Sequence, residues 1–281
     1  MRADLHIHTT ASDGSLSPEA LVRRAAAIGL DIIAITDHDT IEGIASAIEA
    51  AKEFPQLIVI PGVEISAEPQ EGEAHILGYF LDYTNKNLID TLNELRTARI
   101  ERCKKMVYKL NELGMKIEWD RVEYLGGLGQ GSVGRPHIAQ ALVEAGYVSS
   151  LREAFQKYIG RDCPAYVPRK KVTSIEAIHM ICNAGGMAVL AHPADIKDLG
   201  AILVPLIEAG LKGLEVYYGG YSEKTISNLV KLAREYGLVI SGGSDYHGLD
   251  DSVGKDLGSI EVPEQVIKEF IACSKHEDGG K

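Results

Sequence analysis

Two short segments, Asp4-Leu5-His6-Ile7-His8-Thr9 and Thr36-Asp37-His38-Asp39, bring imidazole and carboxylate groups directly off apolar runs. The pattern recurs in Gly62-Val63-Glu64-Ile65, Glu73-Ala74-His75-Ile76, Val189-Leu190-Ala191-His192-Pro193 and Ser241-Gly242-Gly243-Ser244-Asp245-Tyr246-His247, so six of the nine histidines sit at expected strand ends. His6 and His8 are two apart on one strand, share a face, and can chelate one ion. Neutral imidazole and carboxylate are common ligands for Zn, Mn and Fe. Any one of these histidines, taken singly, reads more readily as an ordinary buried or surface residue. Together with Asp13, Glu64 and Asp245 they do not, because each unpaired polar group at a strand end costs ~1–3 kcal/mol.

The elements that must carry these residues alternate. Asp31 to Ile35, Leu57 to Val63, Ala74 to Phe80, Ala188 to Ala191, Gly213 to Tyr217 and Leu238 to Ser241 read as strands, with amphipathic stretches between them. Ser17 caps and Pro18 opens the first helix, which Gly29 closes. The alternation predicts a parallel sheet with right-handed crossovers, and polar residues repeated at C-terminal strand ends favour a (β/α) barrel over a doubly wound sheet. From Asn85 to Val172 the rhythm breaks into a long charged helix (Leu88 to Leu113), Trp119 to Leu125, a glycine-rich stretch and the helical segments Pro136 to Ala145 and Ser150 to Tyr158. We therefore expect a discontinuous barrel domain of residues 1–84 and 173–273, an inserted, mainly helical subdomain of residues 85–172 overhanging its mouth, and a flexible polar tail, 274–281.

A formal charge of −11 in 281 residues argues against a basic track for long nucleic acid, and the short Arg169-Lys170-Lys171 run reads as a solvated loop edge. It does not exclude a phosphorylated substrate if metals supply the local field, since three divalent ions, about +6, would outweigh three ligand carboxylates. Cys103, Cys163, Cys182 and Cys273 form no Cys-x-x-Cys pair and read as reduced thiols. The N-terminus shows no apolar signal region and no stretch approaches ~18 apolar residues, so a cytoplasmic protein without a membrane partner is expected.

In order and over nearly the whole chain, Asp-Leu-His-Ile-His-Thr, Ser12-Asp13-Gly14, Thr-Asp-His-Asp, Gly-Val-Glu-Ile, His75, Ala-His-Pro and Ser-Asp-Tyr-His resemble the polymerase and histidinol phosphatase (PHP) family of metal-dependent phosphoesterases. The closest likeness is to the branch that hydrolyses nucleoside 3',5'-bisphosphates, some members of which trim short RNA from the 5' end. That likeness rests on Asp13, where histidinol phosphatases often carry a histidine, and on Gly134-Arg135-Pro136-His137-Ile138-Ala139 in the insertion. The resemblance implies a distorted (β/α)7 barrel holding three divalent ions, Mn, Zn or Fe. His6, His8, Glu64 and Asp245 would hold the first, with Glu64 bridging to a second on His75 and His192, and Asp13, His38 and His247 would hold the third. It further implies attack by a metal-bridging hydroxide on a phosphate monoester of a small nucleotide, the 3'-phosphate of a nucleoside 3',5'-bisphosphate, with no protein nucleophile. The alternatives are a 5' exonuclease on short oligoribonucleotides, a histidinol phosphatase, and an inactive metal-binding module like those attached to bacterial polymerases. Against the last, every ligand position is filled.

Arg135, His137 and Ser132 are the candidate substrate-binding residues. At a helix start, guanidinium, imidazole and backbone N–H groups could grip a phosphate, a reading the resemblance favours; an ordinary loop arginine and a helix-capping histidine fit the same positions. The Gly126 to Gly131 stretch imitates a nucleotide-binding loop, but Ser132 stands where the lysine belongs and no strand precedes it. Of Asp37 and Asp39, one is expected to orient a ligand imidazole and the other to cap the following helix. Tyr217 and Tyr218 end a strand, where core packing is favoured over base stacking. His179 and His276 have no companion ligands and receive no role.

Overall fold

The computed structural model describes residues 1–67, 74–126, 133–168, 172–196, 198–248 and 256–273. Its strands are β1 (Ala3–Ile7), β2 (Ile32–Ile35), β3 (Ile58–Ala67), β4 (Ala74–Tyr79), β5 (Met187–Leu190), β6 (Gly213–Tyr218) and β7 (Val239–Gly243), hydrogen-bonded in sequence order. The two edges meet where the His8 N–H donates to the Tyr246 carbonyl at 2.9 Å, just beyond β1 and β7. Gly243 makes the approach possible, because a Cβ there would lie 2.4 Å from the His6 nitrogen.

One strand departs from the all-parallel expectation. β4 runs antiparallel to both β3 and β5, while the other pairs are parallel. The link from β3 to β4, residues 68–73, is shorter than the roughly dozen residues a parallel crossover needs, so the two strands form a hairpin. The reversal has a consequence for the site. His75, near the start of β4, faces Ser66 near the end of β3, so it reaches the same mouth as residues at the C-terminal ends of the parallel strands.

Alternation along each strand separates two cores. Ile32 and Ala34 of β2 join Ile60, Leu77, Tyr79, Val189 and Phe270 in one buried cluster, whereas Ile33 and Ile35 pack with Leu21, Val22 and Ile44 of the outer helices. The inward series on β3, Ile60, Gly62 and Glu64, and on β4, Tyr79, Leu77 and His75, thus pass from an apolar floor to a polar mouth. The outer layer consists of α1 (Pro18–Ala27), whose Ser17 cap accepts the Ala20 N–H, α2 (Glu42–Ala51) and, after the helical segment, α7 (Ser174–Asn183), α8 (Leu199–Glu208) and α9 (Glu223–Glu235), whereas α10 (Glu264–Cys273) sends Ile267 and Phe270 into the inner cluster.

Between β4 and α7 lie α3 (Lys86–Glu112), α4 (Trp119–Leu125), α5 (Arg135–Glu144) and α6 (Leu151–Ala154), the last continued by a π-helical turn, Phe155–Ile159. Met106, Leu110, Val122, Ile138, Leu142 and Ile159 form their own buried cluster there. Leu88 and Leu92 at the start of α3 belong instead to the barrel's outer core, so one helix ties the two together.

Candidate metal centre

Glu64 is the hub of the mouth. It is buried, and its Oε1 lies 2.7 Å from His75 Nδ1 and 3.4 Å from His192 Nε2, while Oε2 lies 3.4, 3.3 and 2.9 Å from His6 Nε2, His8 Nε2 and His38 Nδ1. Asp245 Oδ1 stands 3.4 Å from His6 Nε2, 3.2 Å from His8 Nε2 and 3.6 Å from His247 Nδ1. Asp13 Oδ1 completes the ring at 3.3 Å from His247 Nε2 and 3.7 Å from His8 Nδ1. All nine residues singled out by the sequence motifs therefore converge. The tightest groups are His8, Asp13, His38 and His247; His6, His8 and Glu64; and His38, Glu64 and His75, the ligand atoms within each lying no more than 4.8 Å apart.

Electrostatically this is a site built for cations. Burial alone would raise the carboxyl of Glu64, but His38, His75 and His6 hold it well below the usual range; Asp245 and Asp13 are likewise depressed against burial by their imidazoles. Burial disfavours a charge on His8, yet the close carboxylates of Asp245 and Glu64 carry it up to about 10, whereas for His38 burial wins and lowers it to about 4. His6 Nε2, both ring nitrogens of His8, Asp13 Oδ1, His38 Nδ1 and Glu64 Oε2 are buried without any well-formed hydrogen bond. At ~1–3 kcal/mol for each unsatisfied group, such a cluster is not a packing solution. Nitrogen and carboxylate donors pointing at shared space fit divalent Zn, Mn or Fe.

Three of the residues that shape the mouth adopt left-handed backbone conformations unusual outside glycine: Asp39 (φ 53°), His192 (φ 28°) and Asp245 (φ 53°). Hydrogen bonds hold two of them there. The Asp39 N–H donates to the Glu64 carbonyl at 2.9 Å, and the His192 N–H donates to Glu215 Oε2 at 2.8 Å.

A cavity of about 200 Å³ opens beside this cluster. Its lining includes Asp13, His38, His75 and His247 of the cluster together with Arg99 and Arg102 of α3, Arg135 and Phe155. The Arg135 guanidinium carbon lies 5.6 Å from the centre of the Phe155 ring. Arg99 Nη1 is 3.2 Å from Asp39 Oδ2 and Arg99 Nη2 is 4.0 Å from Asp13 Oδ2.

A family model described as the PHP domain matches residues 4–160. The chain belongs to the PHP family. Among its relatives, the 5'-3' exoribonuclease Rnm of Escherichia coli K12 is 38% identical over 249 residues, covering 87% of this chain and 84% of the relative. The 3',5'-nucleoside bisphosphate phosphatase of Chromobacterium violaceum is 33% identical over 270 residues, covering 92% and 91%. The crystal structure of a protein assigned as a metal-dependent phosphoesterase, from Bifidobacterium adolescentis, superposes with a TM-score of 0.88 at 34% identity, covering 97% of this chain and 96% of that one. The protein is a metal-dependent PHP phosphoesterase, with a seven-stranded barrel as its frame.

Around the PHP cluster, several expectations change. Neither Asp37 nor Asp39 caps α2, whose N-cap is Ile41 without a side-chain bond. Nor does Asp37 orient an imidazole: its carboxylate accepts from the Thr9 N–H, Thr9 Oγ1 and Ser12 Oγ, anchoring the loop that carries Asp13, while Asp39 accepts the Ser66 N–H and faces Arg99. Glu64 lies within β3, not at its end, because that strand continues to Ala67 to pair with β4. His137 is buried, and its Nδ1 accepts the Gly134 N–H at 3.1 Å, closing the start of α5. Tyr218 is half-buried and donates its hydroxyl to Asp245 Oδ2 at 2.8 Å. Ser132, most of the glycine-rich stretch, the Arg169 to Lys171 run and the tail with His276 lie outside the described residues.

Three contributors carry little signal in the sequence. Arg99 and Arg102 belong to the charged face of a long helix, although both line the cavity. Glu215, fully buried, contacts His6 Nδ1 at 2.9 Å; the available signal was a carboxylate at an inward position of an otherwise apolar strand. Among the described residues, no helix is long and apolar enough to cross a membrane.

Proposed function

We propose that the protein cleaves the O3'–P bond of small nucleotides that carry a 5'-phosphate, with nucleoside 3',5'-bisphosphates as the principal substrates. The observation that carries this reading is the cavity lined both by residues of the PHP cluster and by three arginines. The nine cluster residues act as ligands, in the groups His6, His8, Glu64 and Asp245; Glu64, His75 and His192; and Asp13, His38 and His247. Three divalent ions held there, Mn, Zn or Fe, would activate water near neutral pH and draw charge from the phosphoryl oxygens. Arg135 and Arg99 receive the second phosphate, the one that is not attacked, because charge-assisted bonds from guanidinium suit phosphate oxygens. Phe155 and Leu95 give the same cavity an apolar wall for the nucleoside. His137 supports this wall through the start of α5, and Ser132, three residues before Arg135 in the sequence, is assigned to the substrate phosphate. The helical segment of residues 85–172 acts as a unit that brings these groups over the barrel of residues 1–84 and 173–273; its separate core supports that division.

A 5' exonuclease activity on short RNA uses the same bond. In both substrates a 5'-phosphorylated nucleoside leaves through its 3' oxygen, and they differ only in whether the phosphorus carries a further nucleoside. The likeness to the E. coli exoribonuclease favours this second activity on the same site. The Mn-loaded protein should be assayed against nucleoside 3',5'-bisphosphates, 3'-mononucleotides, histidinol phosphate and dinucleotides with and without a 5'-phosphate. Phosphate release is expected fastest from bisphosphates, and dinucleotides should be cut only when 5'-phosphorylated. Preference for histidinol phosphate, or indifference to the 5'-phosphate, would overturn the reading.

A further inference from the structure

Of the seven strands, β6 alone contributes no residue to the nine-membered cluster, in itself or in the turn that follows it. It nevertheless places a carboxylate directly behind the cluster. Glu215 is 0% exposed, lies 2.9 Å through Oε1 from His6 Nδ1, and accepts the His192 N–H at Oε2 at 2.8 Å. We propose that Glu215 is the positioning residue of the metal centre, setting which nitrogen of His6 is offered to an ion and fixing the turn that aims His192. The proposal rests on the reading of His6 and His192 as ligands.

A carboxylate can only accept hydrogen bonds, so the neutral imidazole of His6 keeps its proton on Nδ1, and the lone pair of Nε2 is then directed between Glu64 and Asp245, each 3.4 Å away. That Nε2 is buried and has no hydrogen bond of its own. His192 raises a separate difficulty. It precedes Pro193, which disfavours helical backbone angles, yet it adopts φ 28° and ψ 56°. The bond from its N–H to Glu215 offsets that strain and leaves the ring pointing at Glu64. The two oxygens of one side chain thus lock ligands from β1 and from the end of β5. An apolar residue would fill the strand more cheaply than a buried carboxylate, so packing alone does not account for Glu215.

Glutamine tests the idea because it is isosteric but has only one acceptor end. If its oxygen serves the His192 N–H, its NH2 faces His6 and forces the proton onto Nε2; turned the other way, two donors meet at His192. Titration calorimetry with Mn2+ alone should show Glu215→Gln binding at least ~10-fold more weakly than wild type, in the roughly 10–100-fold range for partners one bond removed from a metal. The melting temperature of the two metal-free proteins should be nearly the same. In the Zn2+-loaded wild type, 15N NMR of the imidazoles, assigned with His6→Gln, should show His6 coordinated through Nε2 and protonated at Nδ1. Equal Mn2+ affinity in the two proteins would overturn the proposal while leaving the ligand reading intact. Wild-type protein that takes up neither metal would remove both. Should Glu215→Gln not fold, the NMR result decides alone, and His6 bound through Nδ1 is the overturning outcome.

Discussion

At the scale of single residues, one carboxylate carries a disproportionate share of the site. Glu64 meets five imidazoles, two through one oxygen and three through the other, so no other side chain can replace both contacts. Glu64→Gln should cut turnover by ~100-fold or more and lower bound metal in elemental analysis while the circular dichroism spectrum is unchanged, since losing a ligand exceeds the roughly 10–100-fold cost of losing a ligand's partner. Full metal content with near wild-type rates would place Glu64 outside the centre. Arg135→Ala should weaken kcat/KM for bisphosphates by about tenfold to a hundredfold, the ~1.5–3 kcal/mol of a lost charge-assisted contact, and affect monophosphates far less. Equal losses on both would remove Arg135 from the second phosphate. Motif spacing made the nine converging residues legible, because histidines stand out from an apolar strand. Glu215 and Arg99 did not stand out, since a single charge on a strand or on a 27-residue helix matches a solvated face until the partner strand or cavity is known.

Elements decide whether those side chains meet. Strand existence was readable from β-branched runs, and the helices of the 86–159 region from their periodicity, with ends shifted by only a few residues. The direction of β4 was not, because the alternation rule looks past a short link; the link's length, not its composition, reverses the strand. Buried carboxylates at strand ends were also ambiguous. Asp4 accepts from Ser244 and Gly258, and Asp37 from Thr9 and Ser12, so both tether loops. The seam between β1 and β7 is the most demanding junction, as Gly243 leaves no room for a side chain beside His6. Gly243→Ala should therefore cost about 1–3 kcal/mol, as overpacking does, and should also reduce metal uptake, since Asp245 and His247 follow directly on that strand. Urea unfolding and metal analysis of the same preparation check it: a stability loss with full metal content would show the seam moving independently of the site.

At the scale of the whole molecule, folding is expected to be coupled to metal binding. A chain of net charge −11 gathers three ionised carboxylates and six histidines at one barrel mouth, an arrangement whose repulsions and orphaned lone pairs are relieved when cations bind. An ion that binds only the folded state at 100 times its Kd adds about 2.7 kcal/mol of stability, so chelation should lower the melting temperature by roughly 5–10 °C for a domain of this size. The dependence on pH should change sign with loading. In metal-free protein His8, raised to about 10, contributes stability that is fully present below its unfolded value near 6.5 and is lost as pH rises through about 10. In the loaded protein the same proton must leave before His8 can ligate, whereas His38, lowered to about 4, is already neutral at pH 7. Metal affinity should consequently rise with pH across the neutral range, by up to about tenfold per unit for each proton displaced. Calorimetric titrations with Mn2+ in two buffers of different ionisation enthalpy measure that release directly. Identical heats in both, together with melting curves that shift the same way with pH before and after chelation, would show that no proton is exchanged for metal and that His8 lies outside the ligand set.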